Sequence, residues 1–343
     1  MSESRIPILT RNRRGSPLRV THWAVGQALR AMGWEWEQRQ SGETGIGIWT
    51  KKTPRFSKKA RNRRRMVLVP GFGDTPLSWV GVLGGLYLRF RDSFDEFCVL
   101  DFPGYMGFLS HQRGFDSFDL LLRQTSDLLD TLKPDVLIGH SLGGWISGLY
   151  VADLDSGRRE RAKSGRYRAP SCTILCNPSG IFARDEELAA WRARFEETRS
   201  SGFAVYRPHV FGREPFWFRL FKGEFTEFFN RPEVHAFIDT PREEHSLNNR
   251  IAQLKIPLHV VWGDRDSLVP AHWIHDWVER FPVRDSPRHQ AILLHGVGHS
   301  PHIESPKAII EVFSALIKNQ AVESGRSFRL GPIQGTSWER VHP

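Results

Sequence analysis

Cysteine is scarce in this chain. Cys98, Cys172 and Cys176 are the only three in 343 residues, an odd number, and each falls in an apolar, strand-like run. Cys172 and Cys176 lie four apart on what reads as extended chain, about 13 Å between Cα atoms, a gap no disulfide spans. Buried reduced thiols in a cytoplasmic protein are expected. Long hydrophobic runs are absent too: no stretch reaches the roughly 18 apolar residues that a membrane span needs. The N-terminus is basic but has no apolar h-region, so no secretory signal is read. No G-x-x-x-x-G-K-[ST] occurs and no G-x-G-x-x-G follows a strand, which removes the usual phosphate and dinucleotide signatures. No cofactor is expected, and no internal repeat is visible.

What remains is the make-up of a globular protein, 40% hydrophobic and 25% charged, with ample length for a sizeable core. The formal net charge of +10 is lopsided. Residues 1–65 hold 16 Lys/Arg against 4 Asp/Glu, a net of +12; residues 66–343 hold 32 against 34, a net of −2. The excess belongs to the N-terminal segment and says nothing about substrate charge. It suits an anionic membrane surface. Aromatic residues are too sparse beside the basic runs at 51–65 for a base-stacking platform, so nucleic acid is not an expected partner.

Periodicity divides the chain. Residues 1–65 read as a basic extension. It holds a loose arm to residue 16 and a helix opened by Ser16-Pro17, with Val25, Ala28, Leu29, Met32 and Trp36 on one face. An edge strand follows at 44–50. The helix is expected to be strapped onto the main domain rather than to lie in a membrane interface. Alternation begins at Met66. Strands are expected at 66–69, 97–101, 135–138, 172–176, 258–262 and 289–294, with helices between. The clearest helix sets Phe118, Leu121, Leu122, Thr125, Leu128, Leu129 and Leu132 on one face. Strands apolar on both faces indicate an α/β fold with a mainly parallel sheet covered on both sides, built from residues 66–180 and 251–320. Residues 181–250 break that rhythm and hold 11 of the 23 Phe. There Phe216, Trp217, Phe218, Phe221, Phe225, Phe228 and Phe229 read as one helix, apolar nearly all round. This is expected of an inserted helical cap, mostly core and partly the roof of a pocket. Residues 321–343 read as a polar, poorly ordered tail.

The chain is organised around Val136-Leu-Ile-Gly-His-Ser-Leu-Gly-Gly-Trp145. Gly139-His-Ser-Leu-Gly143 fits G-x-S-x-G, with a strand before it and a helix after it. Such a turn cramps its central residue and lifts the Ser141 Oγ clear of the sheet. Side chains at Gly139 and Gly143 would collide across the turn. The N–H of Leu142, at a helix start, points at whatever Ser141 attacks. In such sheets functional groups gather at the carboxyl ends of the strands, and Asp266 and His299 follow two later strand ends. A serine hydroxyl needs an imidazole to take its proton and a carboxylate to orient that imidazole. Asp264 and His302 are the competing acid and base. His295, His299 and His302 have the residue type for a metal site, but Gly296, Gly298 and Pro301 deny them a common helical face and no Cys accompanies them. Glu304 is expected to brace the loop bearing His299, and His140 to pack or bond locally.

Five motifs stand in register: Pro70-Gly-Phe-Gly-Asp74, Asp101-Phe-Pro-Gly-Tyr105, Gly139-His-Ser-Leu-Gly-Gly144, Trp262-Gly-Asp-Arg-Asp266 and Gly298-His-Ser-Pro-His-Ile-Glu-Ser-Pro306. Through them residues 66–319 resemble the α/β-hydrolase fold family. The resemblance implies a cap inserted after the sixth strand, nucleophile Ser141, acid Asp266 and base His299. It also implies an oxyanion hole from the backbone N–H groups of Phe72 and Leu142. Some members carry the acid one strand earlier, where this chain has Asn177-Pro-Ser and no carboxylate. Many have His-Gly where this chain has Pro70-Gly71; the donor needed is on Phe72, so the hole survives that change. The implied activity is that of a capped serine hydrolase, similar to lipid-ester and ring-cleavage-product hydrolases, with a small apolar acyl or aromatic substrate. A carboxylic ester is the expected bond. C–C hydrolysis by the same triad is the alternative, and it calls for a cationic anchor such as Arg184, Arg192 or Arg213. A non-catalytic binding protein on the same scaffold is the other alternative.

Overall fold

The computed structural model describes residues 17–41, 44–56, 63–109, 112–157, 169–181, 201–281, 289–318 and 327–330, with scattered positions between 186 and 197. The arm at 1–16, Arg184, Arg192 and the tail apart from 327–330 lie outside the described residues. The apolar runs form β1 (Trp34–Ser41), β2 (Thr44–Lys52), β3 (Arg65–Val69), β4 (Glu96–Asp101), β5 (Val136–His140), β6 (Cys172–Cys176), β7 (Leu258–Gly263), β8 (Gln290–Leu294) and β9 (Ser327–Leu330). They join in one sheet in the order β1-β2-β4-β3-β5-β6-β7-β8-β9. β3 to β8 run parallel, while β1, β2 and β9 pair antiparallel with their neighbours.

Alternation along each strand feeds two cores. Val67 and Val69 of β3 join one, against α3 (Phe118–Leu132) and α4 (Leu142–Asp155); Met66 and Leu68 join the other, against α2 (Val80–Phe90) and the helix Pro306–Ile317. Because β4 and β5 flank β3 on opposite sides, the chain changes direction there. The loops leaving β3 and β5 therefore open a crevice at their carboxyl ends. The cap lies between β6 and β7 and includes the helices Phe203–Val210, Lys222–Phe229 and Pro232–Ile238.

Several expectations are corrected. α1 (Pro17–Ala31) starts at its proline as expected, but it does not reach Trp36. Gly33 adopts φ +82° and ends it. Trp34 and Trp36 then alternate with exposed Glu35 and Glu37 as buried residues of β1. Met32 and Ala28 are exposed. β2 is not an edge strand: it pairs with β1 on one side and β4 on the other. The sheet thus begins at Trp34, inside the segment read as an extension. The run 216–229 is not one helix but a 3-10 turn, Phe216–Phe221, followed by the helix Lys222–Phe229. Its apolar side chains are not all buried, since Phe216 is 86% and Leu220 65% exposed. The tail contributes β9, which shields the far edge of β8. The three cysteines are buried and free; burial raises the thiols of Cys98 and Cys172 to about 12. No helix among the described residues is long and apolar enough to cross a membrane.

Candidate active site

Ser141 sits at the apex between β5 and α4 with φ 52° and ψ −117°, a conformation that costs a non-glycine residue about 1–3 kcal/mol. Its neighbours hold it there. Its N–H donates to the Cys176 carbonyl (2.9 Å) and its own carbonyl accepts from Trp145 N–H (3.0 Å). The turn can be this tight because the flanking positions are glycine. A Cβ on Gly139 would come within 2.5 Å of the Gly143 carbonyl oxygen, and one on Gly143 within 2.3 Å of the Val69 oxygen.

His299 and Asp266 arrive from the loops after β8 and β7. Asp266 Oδ2 accepts from His299 Nδ1 (2.7 Å) and from Asn177 Nδ2 (2.6 Å). Its Oδ1 accepts from the N–H groups of Leu268 (2.9 Å) and Val269 (3.0 Å). Four donors fix the carboxylate and place the imidazole proton on Nδ1. His299 Nε2 is then the acceptor that faces Ser141 Oγ at 2.9 Å. All three side chains are buried. The arrangement can therefore draw a proton from the serine and keep the resulting imidazolium beside a carboxylate.

The competing residues are occupied elsewhere. Asp264 accepts from His295 Nδ1 (2.6 Å) and Gly296 N–H (2.7 Å), closing the turn after β8. His302 stacks on Trp79 with ring centroids 4.1 Å apart and planes 4° apart. Burial lowers its pKa to about 3. His295, His299 and His302 thus serve three separate contacts. A different trio, Asp74, His140 and His302, brings ligand-type atoms within 4.8 Å of one another. Asp74 is already held by Thr75 N–H (2.7 Å), Ser78 Oγ (2.6 Å) and Trp79 Nε1 (2.9 Å). We therefore read it as the anchor of the turn after β3. His140 Nε2 donates to the His299 carbonyl (2.8 Å), linking the serine turn to the histidine loop. Glu304 accepts from Gly298 N–H (3.1 Å) and, through its other oxygen, from Arg213 N–H of the cap (3.1 Å). Burial raises this carboxyl from 4.5 to about 7.

Ser141 and His299 open into a chamber of about 280 Å³. Phe72 and Leu142, whose N–H groups are the expected oxyanion donors, both border it. Leu142 opens α4, so its N–H has no intrahelical acceptor. Phe72 lies in the turn closed by Asp74 N–H on the Gly71 carbonyl (3.2 Å). Its ring stacks on Phe237 at 5.6 Å and meets Tyr105 edge-on at 5.2 Å. The remaining walls are mostly cap aromatics, among them Phe203, Phe218, Phe225 and Phe229, with Leu18, Thr21, His22 and Val25 of α1. Burial lowers His22 to about 4, against the opposing pull of Glu224, so it is a neutral wall residue near neutral pH.

Sequence reasoning missed two contributors. In the sequence Asn177 stands only where some relatives carry the acid; its place at the carboxyl end of β6 is the signal that marks it as a partner of Asp266. The α1 wall has a weaker signal, the helical spacing that sets Leu18 and Val25 on one face with Thr21 and His22 between them.

The alpha/beta hydrolase family matches residues 66–312. No curated protein sequence matches the chain. Among solved structures, a bacterial membrane phospholipase A is similar at 18% identity, covering 88% of this chain and 92% of its own, with a TM-score of 0.63. A thermophilic esterase from Thermogutta terrifontis is similar at 17% identity, covering 83% and 98%, with a TM-score of 0.56. A serine hydrolase involved in carbazole degradation is similar at 16% identity, covering 84% and 100%, with a TM-score of 0.59. At these identities the likeness is one of fold. The family match spans most of the chain and agrees with the sheet and the serine turn: the chain belongs to the alpha/beta hydrolase family.

Proposed function

We propose that the protein is a serine hydrolase that cleaves a carboxylic ester with an apolar acyl chain. One observation carries this reading: the hydrogen-bonded line Ser141–His299–Asp266 ends in a chamber walled by aromatic and aliphatic side chains. His299 Nε2 takes the hydroxyl proton as Ser141 Oγ bonds to the ester carbon. The N–H groups of Phe72 and Leu142 receive the developing oxyanion. Collapse breaks the C–O bond, and the imidazolium protonates the departing alkoxide, leaving an acyl-enzyme. Water, deprotonated by His299, then adds to the acyl carbon and releases the acid and Ser141.

No Lys or Arg is among the described residues that line the chamber. The described walls therefore suit an uncharged acyl group. Arg213, one of the candidate anchors, makes its main-chain bond to Glu304 and does not border the chamber. The test is turnover of p-nitrophenyl acetate, butyrate and octanoate by the wild type and Ser141→Ala. We expect turnover that improves beyond acetate and falls about 10⁴-fold or more in the variant. A folded wild type that cleaves none of the three, but binds apolar esters intact, would favour the binding-protein alternative.

A further inference from the structure

Seven large hydrophobic side chains are exposed among the described residues, and six of them belong to two neighbouring pieces of chain. Val20 (61%) and Trp23 (58%) lie on α1, with Met32 just beyond its end; Phe216 (86%), Trp217 (37%) and Leu220 (65%) lie on the cap turn Phe216–Phe221. The two pieces are tied together, since Leu18 N–H of α1 donates to Glu224 Oε1 of the following cap helix (3.2 Å). They also wall the same chamber, α1 through Leu18, His22 and Val25, the cap turn through Trp217, Phe218 and Phe221. Each piece therefore has one apolar face on the chamber and another facing out. In α1, positions 18, 22 and 25 point inward while 20 and 23 point away, as helical spacing requires. A patch of this kind beside a pocket marks an interaction surface.

Its charge setting selects the partner. Exposed Arg219 and Lys222 adjoin Leu220, Arg219 lying 3.8 Å from Glu214 Oε1. Residues 1–16, which lead directly into α1, carry four Arg and one Glu, a net of +3. An exposed Trp and Phe patch that follows a basic segment in the chain suits the boundary between anionic headgroups and acyl chains. We propose that this face docks on an anionic lipid surface and that the ester substrate enters the chamber from that surface. The inference rests on the hydrolase reading for its second half only.

The test uses the full chain with vesicles of phosphatidylcholine alone or mixed with phosphatidylglycerol, and the triple variant Trp23→Ser, Phe216→Ser, Leu220→Ser. None of these three side chains borders the chamber. Wild type is expected to float with the mixed vesicles, less so as salt is added. The variant is expected to lose about tenfold or more of that binding. It should cleave soluble p-nitrophenyl butyrate as wild type does, yet cleave an ester embedded in the mixed vesicles about tenfold more slowly. Wild type that ignores vesicles, or a variant that binds them equally, overturns the lipid face and leaves the hydrolase reading standing. A wild-type dimer that the triple variant dissolves assigns the face to a second copy and also overturns the proposal. Vesicle binding that the variant loses, in a protein that cleaves no ester, would uphold the face and sink the hydrolase reading.

Discussion

The loops at the carboxyl end of the sheet and the cap above them are built on opposite rules. In the loops the carboxylates are held by directed hydrogen bonds: Asp266 has four donors, Asp74 three, and the serine turn leaves no room for a Cβ at two glycines. Where the cap walls the chamber, many of its contacts are rings against rings. Phe203, Phe225 and Phe229 meet at centroid distances of 5.0–5.3 Å, Phe203–Phe225 being 5.0 Å and Phe203–Phe229 5.3 Å. Hydrogen-bonded loops are specified by direction and tolerate little; aromatic packing is specified by volume and tolerates exchange. On the proposed function, chemistry is fixed on one side of the chamber and substrate shape on the other. Phe72 belongs to both, with its main chain in the loop layer and its ring between Tyr105, Phe228 and Phe237.

The comparison is most sharply tested in the loops. Asp266→Asn should lower kcat by about 10⁴ with the fold intact by circular dichroism, because His299 loses the acceptor that sets its tautomer. A loss of only a few fold would mean that directional precision in the loops matters less than argued. Gly143→Ala should cost about 3 kcal/mol or more in denaturant unfolding, or prevent folding, since its Cβ would meet two main-chain carbonyls within 2.4 Å. In the cap, Phe225→Ala should lower kcat/KM for the longest acyl chain about 10- to 100-fold while acetate changes little. An equal loss on every chain length would show the cap acting through the loop layer.

The smallest effect is expected at the seam. Glu304 joins the histidine loop to the cap, and burial lifts its carboxyl from 4.5 to about 7. Between those pH values the unfolded chain has lost this proton and the folded chain keeps it. Its contribution to stability is therefore full below pH 4.5 and lost as pH rises through about 7. The group is partly exposed, so the change should stay below about 1 kcal/mol after screening. Thermal melts of Glu304→Gln across that range should be flatter than those of wild type. Parallel curves would remove Glu304 from the pH response.

The same contrast explains what was legible in the sequence. Ser141, Asp266 and His299 announce themselves because each follows an apolar run and stands beside glycines that only a tight turn requires. Asn177 does not, because an amide brace has no motif and its partner is 89 positions away. Trp36 is misplaced by the helical reading because it stands four residues after Met32, a spacing that fits a helix until Gly33 is given weight. The run from Phe216 to Phe229 shows the limit from the other side: composition identifies aromatic mass, while which rings face the chamber and which face out depends on α1, nearly two hundred residues earlier in the chain. β9 was hidden because edge pairing to β8 needs only a short extended segment.

The most direct test of the central claim is labelling with a fluorophosphonate probe, followed by mass-spectrometric location of the adduct, in wild type and Ser141→Ala. The account predicts a stoichiometric adduct on Ser141, abolished in the variant and strongly reduced in Asp266→Asn. A folded wild type that stays unlabelled, or an adduct on another residue, would contradict it.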